Sequence, residues 1–222
     1  MATVLIIGAS RGLGLEFVRQ YAAAGARVLA TVRQPAAGRA VSEAGGEVYL
    51  CDVGDQASIR RLADGLDGIA LDLLVHNAGI FGADQPFGAL EAIDLLEVMR
   101  IDAVAPLLTA QALAARLAPG GVFAAVSSRL GSIGANQAGG HYGYRAAKAA
   151  LNMAIRTLAV DLAARSACAV ALSPGWVRTD MGGPEAPLTP AEAVTGMRAV
   201  LDRLTPADSG SFFDYDGSRL PW

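Results

Sequence analysis

The first fourteen residues limit the fold of this chain more than any other feature. Thr3–Ile7 is an unbroken apolar run, typical of a strand buried on both faces. It leads directly into the glycine-rich turn at residues 8–14 and then into a helix. The same order of strand and helix repeats to the end of the chain, and repeated βαβ units form a parallel sheet with helices on both faces. The sequence therefore predicts a single α/β domain over residues 1–222.

Seven strands and five helices are predicted from apolar periodicity and turn residues. The strands are residues 3–7, 27–32, 48–51, 71–75, 121–127, 167–172 and 211–213. The helices are residues 12–24, 57–66, 89 to about 117 in one or two pieces, 142–164 and 190–204. No linker, repeat or low-complexity tract separates them. The one loop long enough to carry function is residues 173–189, which is rich in Gly and Pro.

Composition excludes several classes of protein. The chain is 53% hydrophobic and 18% charged, which supports a large core and not a disordered chain. Its net charge is −3 and it has no basic run, so we expect neither nucleic acid nor a membrane surface as partner. It has no stretch of eighteen apolar residues and no basic leader, so we expect a cytoplasmic location. Cys51 and Cys168 should then be reduced and buried, and no metal site is predicted.

The glycine-rich turn is a candidate phosphate site. Gly8, Gly12 and Gly14 allow a tight turn and close backbone approach, and the helix N-terminus offers free N–H groups to a pyrophosphate. A purely structural turn is the alternative.

The same turn also contains the G-x-S-x-G pattern of a hydrolase nucleophile, with Ser10 attacking and His76 or His141 as its base. Only seven residues precede Gly8, which leaves no room for the earlier strands that such an enzyme needs.

The end of the second strand indicates which nucleotide is bound. An NAD site usually has an acidic residue there, whereas this strand ends in Val32-Arg33-Gln34. Arg33 and Arg11 could face the 2′-phosphate of NADP, because a guanidinium fork suits that charge. We therefore expect NADP(H) to be favoured over NAD(H). The alternative is that both arginines are solvated surface residues.

Tyr144 and Lys148 are the candidate acid/base pair. Of the 18 basic residues, Lys148 is the only lysine, which suggests that its position requires a compact ammonium. The two residues are four apart in a predicted helix and so share one face. An ammonium beside a phenol stabilises the phenolate and brings the phenol into the range of a general acid/base. Ser127 and Ser128 end the preceding strand, where a hydroxyl could bond a substrate carbonyl.

Taken together, five motifs resemble the short-chain dehydrogenase/reductase family along the whole chain. They are the glycine turn, Cys51-Asp52-Val53, His76-Asn77-Ala78-Gly79, Tyr144-Arg145-Ala146-Ala147-Lys148, and Ser173-Pro174-Gly175-Trp176-Val177-Arg178-Thr179. The segments at residues 127–134, 142–145, 174–183 and 215–217, with Trp222, are more closely similar to the sniffer and C-factor group of NADPH carbonyl reductases. The resemblance implies a Rossmann-type, doubly wound sheet in the order 3-2-1-4-5-6-7.

The resemblance also implies an oxidoreductase that transfers a hydride between NADP(H) and a small carbonyl or alcohol. Tyr144 would protonate the carbonyl oxygen, Lys148 would hold the nicotinamide ribose, and Ser128 would orient the carbonyl. Ser132 remains an alternative to Ser128, because Ser128 lies 16 residues before Tyr144, more than is usual in the family. Tyr142 is a weaker rival to Tyr144.

The cofactor contacts that the resemblance implies form one set. It comprises Gly8, Ser10, Arg11, Gly12, Leu13, Gly14, Arg33, Asp52, Val53, Asn77, Ala78, Gly79, Tyr144, Lys148, Pro174, Gly175, Val177 and Thr179. The helices at residues 89–117 and 142–164 pair between subunits in this family, which implies a homodimer or homotetramer. The loop at residues 181–189 is short, so the substrate pocket should be open and suited to an aldehyde or ketone.

Three positions depart from the family pattern. Ile7 replaces a threonine, His76 replaces the first asparagine of Asn-Asn-Ala-Gly, and Asp102 stands where a catalytic asparagine is usual. The family uses that asparagine at a helix kink whose backbone carbonyl holds a water leading to the lysine. A carboxylate near Lys148 would offset the effect of the ammonium on Tyr144. The alternative function is therefore a nucleotide-binding regulatory or signalling homologue with weak or no turnover.

Overall fold

The seven strands form one parallel sheet in a computed structural model that describes residues 1–222. The strands are β1 Thr3–Ile7, β2 Arg27–Val32, β3 Glu47–Leu50, β4 Leu71–His76, β5 Leu117–Val126, β6 Cys168–Ser173 and β7 Phe212–Asp214. Their order is β3-β2-β1-β4-β5-β6-β7, and every adjacent pair is parallel. The predicted Rossmann-type order of the sheet is thus confirmed.

Helices cover both faces of the sheet. They are α1 Gly12–Ala23, α2 Gly38–Glu43, α3 Gln56–Gly65, α4 Ala92–Met99, α5 Ala105–Leu113, α6 Tyr142–Ala163 and α7 Pro190–Leu201. One core of 22 buried residues lies between the sheet and α1, α2 and α7, and includes Phe17 and Met197. The other, of 21 buried residues, lies under α3, α5 and α6 and includes Phe123 and Leu151. Burial on both sides explains why the strands are almost continuously apolar.

The order in which the chain adds strands to the sheet reverses between β1 and β4. The chain proceeds from β1 to β2 on one side, and β4 pairs with the opposite edge of β1. In open α/β sheets, ligands bind outside the carboxyl ends of the strands at this switch point. The glycine turn after β1 and the loop after β4 both emerge there.

Several elements differ from the sequence prediction. The helix α2 and the 3₁₀ turn Pro35–Ala37 before it were not predicted. β5 begins at Leu117, four residues earlier than expected, with irregular register against Leu71 and Leu73 of β4. α7 ends at Leu201 rather than at residue 204. The helix at residues 89–117 was predicted in one or two pieces, and it has two, because the π-helical turn Arg100–Val104 separates α4 from α5.

The helical stretch Ala92–Arg116 is long and apolar enough to cross a membrane by length and composition alone. Half of its 18-residue apolar window is buried inside the protein, where α5 packs on α3 and α4 packs on α6. A core helix passes the same test, so the stretch is weak evidence for a membrane span. Cys51 and Cys168 are both free and buried.

Candidate active site

A cleft of about 760 Å³ lies at the switch point. It is lined by most of the residues predicted to contact a cofactor: Gly8, Ser10, Arg11, Gly12, Leu13, Arg33, Asp52, Val53, Asn77, Ala78, Gly79, Tyr144, Lys148, Pro174 and Thr179. It is also lined by residues absent from that prediction: Val32, Gln34, Ala37, Cys51, Ile80, Glu97, Arg100, Ile101, Val126, Ser127, Arg178, Asp180 and Met181. Many of these lie next to a predicted residue in the chain. The sequence signal that could have identified them was their position near the carboxyl end of a strand.

The remaining members of the predicted set, Gly14, Gly175 and Val177, lie outside the lining. A Cβ on Gly14 would collide with the carbonyl oxygen of Gly8, so this glycine lets α1 pack closely on the turn. Gly175 has a φ of +75°, and its close approach to Leu188 leaves no room for a side chain. Val177 is buried and forms a parallel bridge with Leu188. These three residues fix the backbone next to the lining and are not part of it.

The glycine turn presents unpaired donors to the cleft. α1 begins after Arg11 with no side-chain cap, so its first N–H groups remain free for a ligand. Gly8 and Gly12 have φ values of +84° and +55°, which favour glycine. The turn is fixed from behind, because the Gly8 N–H donates to Thr31 Oγ1 at 2.9 Å and Asn77 Nδ2 donates to the Gly8 carbonyl at 2.7 Å. This cradle fits the pyrophosphate of a dinucleotide.

The two arginines considered for a 2′-phosphate differ in their surroundings. Arg11 forms an exposed ion pair with Asp180, with 3.2 Å between Nε and Oδ2. Asp180 lies in the loop after β6, so this ion pair connects that loop to the glycine turn across the cleft. Arg33 lies just after β2, is exposed, and has no acidic partner within ion-pair distance. At the same end of the cleft, Asp52 accepts the Gly54 N–H at 2.9 Å, which fixes the turn that carries Val53.

Tyr144 and Lys148 lie on the buried face of α6. The Lys148 ammonium is 5.5 Å from the centre of the Tyr144 ring, and both residues are less than a tenth exposed. Lys148 Nζ also donates to the carbonyl oxygen of Val126 at 3.0 Å. The helix thus holds a phenol and an ammonium side by side in the cleft, as their four-residue spacing predicted.

Asp102 contacts this lysine directly. Its Oδ2 lies 3.0 Å from Lys148 Nζ, and its Oδ1 accepts the Ile80 N–H at 2.8 Å. Asp102 is fully buried in the π-helical turn, where the family's kink was expected. Burial by itself disfavours the Lys148 ammonium, but attraction to Asp102 and then to Tyr144 outweighs that cost and raises the lysine pKa.

His76 occupies the end of β4 beneath the lysine. It is 1% exposed, and its Nε2 has no hydrogen-bond partner within the protein. Burial, together with repulsion from Lys148, lowers the pKa of His76 to about 3. A neutral imidazole therefore replaces the asparagine expected there and adds no second positive charge beside Lys148.

The three candidate serines have different environments. Ser127 is buried, and its hydroxyl donates to Asn152 Oδ1 at 2.6 Å. Ser132 is also buried, and its hydroxyl donates to the Pro221 carbonyl at 2.6 Å, so it fastens residues 221–222 to the loop. Ser128 is half-buried and its oxygen accepts the Leu130 N–H at 3.1 Å, which leaves its own proton free to donate. Of the three, Ser128 is therefore the serine whose hydroxyl proton has no acceptor within the protein, although Ser127 is the one that belongs to the cleft lining.

The two candidate tyrosines differ in their aromatic contacts. Phe81 packs on the Tyr144 ring with centroids 4.7 Å apart and on the His141 ring at 5.2 Å. Tyr142 is 40% exposed and packs on Phe87 instead, with centroids 5.9 Å apart. Tyr142 therefore points away from the buried pair.

The hydrolase alternative finds no support in the geometry. No hydrogen bond joins Ser10 to either histidine. His76 lies inside the sheet layer, and His141 Nδ1 pairs with Asp84 at 2.8 Å.

Comparisons with known proteins agree with this geometry. A family model described as enoyl-(acyl carrier protein) reductase matches residues 8–213. The chain is 44% identical to the C-signal protein of Myxococcus xanthus over 154 residues, which are 68% of this chain and 93% of that protein. The carbonyl reductase Sniffer of D. melanogaster superposes with a TM-score of 0.93 at 30% identity, covering 100% of both chains. An NADPH-bound carbonyl reductase from chicken fatty liver superposes with a TM-score of 0.92 at 33% identity, covering 100% of this chain and 99% of that one.

Proposed function

Because the chain belongs to the short-chain dehydrogenase/reductase family of oxidoreductases, and NADP-bound structures are among its neighbours, we propose that its cleft prefers NADPH to NADH and reduces a small aldehyde or ketone. The observation that carries this proposal is the buried pair on α6, with the Lys148 ammonium 5.5 Å from the ring of Tyr144. A phenol beside a fixed ammonium at the edge of a dinucleotide cleft is suited to donating a proton to a developing alkoxide.

The residues around the cleft divide the work of binding and proton transfer. NADPH, when bound, supplies the hydride. The free N–H groups at the start of α1 hold the pyrophosphate, Arg33 faces the 2′-phosphate, and Asp52 and Val53 face the adenine. Lys148 holds the nicotinamide ribose hydroxyls. The Ser128 hydroxyl donates to the substrate carbonyl and orients it, and Tyr144 delivers its phenolic proton to the same oxygen.

The preference for NADPH rests on charge. The end of β2 carries Arg33 and no carboxylate that could accept a ribose 2′-hydroxyl. Arg33 has no acidic partner within ion-pair distance, so its guanidinium can pair with a phosphate without breaking an existing contact. Arg11 is already paired with Asp180 and contributes less.

NADPH oxidation at 340 nm against a panel of aldehydes and diketones tests the proposed reaction. The Tyr144→Phe variant keeps the ring packed on Phe81 but removes the proton donor, and we expect at least a hundredfold loss of kcat. The matched control is Tyr142→Phe, two residues earlier on α6, which should retain activity because that hydroxyl lies outside the buried pair. If the wild type binds NADPH but turns over no carbonyl, the chain is instead a nucleotide-binding regulatory homologue.

Assembly and location form a second part of the proposal. We propose one domain over residues 1–222, cytoplasmic, that forms a homodimer or homotetramer through α4, α5 and α6. The supporting observation is that these helices expose large apolar side chains: Ile93, Leu96, Leu107, Met153 and Val160. Such a face is unusual on a monomer. Light scattering on the purified protein would give the subunit number, and a monomer would refute this part alone.

A further inference from the structure

Asn152 joins the catalytic helix to the segment that carries Ser128. It lies on α6 one turn after Lys148, is 3% exposed, and shares the buried face with Tyr144 and Lys148. Its side-chain oxygen accepts the Ser127 hydroxyl at 2.6 Å, and its side-chain nitrogen donates to the Gly131 carbonyl at 3.2 Å. The two ends of one amide therefore hold two points of the same short segment.

Those two points lie on either side of Ser128. Ser127 precedes it, immediately after β5, and Gly131 ends the 3₁₀ turn Arg129–Gly131 that follows it. Gly131 also approaches α6 closely, because a Cβ added there would lie 2.7 Å from Lys148 Cβ. The segment thus rests directly on the backbone of the lysine, and the Asn152 amide fixes it there.

This contact determines how the Ser128 hydroxyl is placed relative to the phenol. Ser128 is half-buried, and within its own segment its hydroxyl oxygen accepts one backbone N–H, from Leu130. The position of this segment over α6 is therefore set by the hydrogen bonds that Asn152 makes to Ser127 and Gly131. The carbonyl oxygen of the substrate must accept hydrogen bonds from both the Ser128 and the Tyr144 hydroxyl. A small displacement of one hydroxyl relative to the other therefore reduces the rate.

We propose that Asn152 is the positioning residue of the Ser128 hydroxyl: its amide fixes the segment at residues 127–131 onto the face of α6 that carries Tyr144 and Lys148. This inference rests on the proposed carbonyl reduction, in which Ser128 orients the substrate. An asparagine suits the place because it both accepts and donates, whereas a side chain of similar volume without polar atoms would leave the Ser127 hydroxyl and the Gly131 carbonyl unpaired.

A double-mutant cycle between Asn152→Leu and Ser128→Ala tests the proposal. We expect Asn152→Leu to lower kcat by about tenfold to a hundredfold, with the Kd for NADPH changed by less than about twofold. The double variant should be no more than about threefold slower than Ser128→Ala. Displacing the serine and removing its hydroxyl both lose the same hydrogen bond to the substrate carbonyl, so the two losses should not add. Thr109→Val is the matched control: Thr109 is equally buried but lies on α5, and its hydroxyl has no partner. It should keep full activity.

Two outcomes of the cycle overturn the proposal. Losses that multiply between Asn152→Leu and Ser128→Ala would show that Asn152 acts independently of the serine. A kcat equal to that of the wild type in a folded Asn152→Leu variant would show that the amide does not position it. If Asn152→Leu fails to fold, Ser127→Ala takes its place in the same cycle, because it removes one hydroxyl and breaks one of the two contacts.

Hydrogen exchange separates this inference from the proposed reaction. In Asn152→Leu, or in Ser127→Ala if the first variant fails to fold, the peptide covering residues 127–134 should exchange faster than in the wild type. Peptides from the middle of α6 should keep their rates. This readout needs no substrate. Unchanged exchange at residues 127–134 would refute the positioning role of Asn152 even if the enzyme reduces carbonyls. Faster exchange without any turnover would refute the proposed reaction and still support the positioning role.

Discussion

Replacing Asp102 with asparagine should change activity and stability in opposite directions. The carboxylate lies 3.0 Å from Lys148 Nζ, and the ammonium lies 5.5 Å from the Tyr144 ring centre, so the carboxylate is at most about 8.5 Å from that centre. At an effective dielectric constant of about 20, it repels a full negative charge placed at the ring centre by about 2 kcal/mol. If about half of that charge has developed in the transition state, Asp102→Asn raises kcat about fivefold.

The same substitution should destabilise the fold. At 3.0 Å and the same dielectric constant the Asp102–Lys148 attraction is about 5.5 kcal/mol, and removing one partner of a buried ion pair typically costs about 3–5 kcal/mol. For a chain of this size each kcal/mol corresponds to about 2–4 °C, so Tm should fall by about 6–20 °C. The pKa of Lys148 should also fall, because Asp102 is the largest of the attractions that outweigh the effect of its burial.

Steady-state kinetics across pH and thermal unfolding together check both expectations. In Asp102→Asn the limb of the pH–rate profile that reports loss of the Lys148 proton should move to lower pH, since the attraction to Asp102 that raises the lysine pKa is gone. Asp214→Asn is the matched control: Asp214 is also fully buried, but it pairs with Arg129 and should lower Tm without raising kcat. An unchanged kcat and profile in Asp102→Asn would refute the electrostatic reasoning. A lower kcat would mean that the carboxylate belongs to the proton relay.

Three further outcomes are expected. NADPH should bind at least about tenfold tighter than NADH, a difference of about 1.4 kcal/mol, and Arg33→Gln should remove most of it; equal affinities in a fluorescence titration of the wild type would make Arg33 a plain surface charge. Lys148→Arg should lower kcat/KM at least about a hundredfold with an unchanged circular dichroism spectrum, because the planar guanidinium cannot occupy the ammonium's place, and near-normal activity would remove the lysine from the mechanism. Because the pKa of His76 is lowered to about 3 in the folded protein, the unfolded chain binds an extra proton between about pH 6.5 and pH 3, so the free energy of unfolding falls as the pH is lowered across that window. Urea unfolding of His76→Asn should show a slope smaller by up to about 1.4 kcal/mol per pH unit, and an identical slope would place the titration elsewhere.

Local patterns predicted the parts of the site that depend on local geometry. The glycine turn and the four-residue spacing of Tyr144 and Lys148 are properties of short segments, so the sequence carried them directly. The sheet order followed from the family resemblance. The π-helical turn at Arg100–Val104 was expected only as a kink, because one extra residue in a helical ladder leaves no periodic signature.

Contacts between distant residues could not be predicted in the same way. Asp180 is 169 positions from Arg11, and no pattern pairs them until the two loops meet across the cleft. Asn152 sits one turn beyond the lysine, but its importance arises from Ser127 and Gly131, 25 and 21 residues away. The available signal for α2 was Pro35 at the first position of the 3₁₀ turn, because proline is common at helix starts although it contributes nothing to an apolar periodicity.

The burial of Lys148 makes it a chemical probe of the folded state. The sequence contains one lysine, and its ε-amine lies 4% exposed within an ion pair that keeps it protonated. Acylating reagents react with neutral, accessible amines, so they spare this lysine in the folded protein. Acylation of Lys148 therefore marks a molecule that has opened.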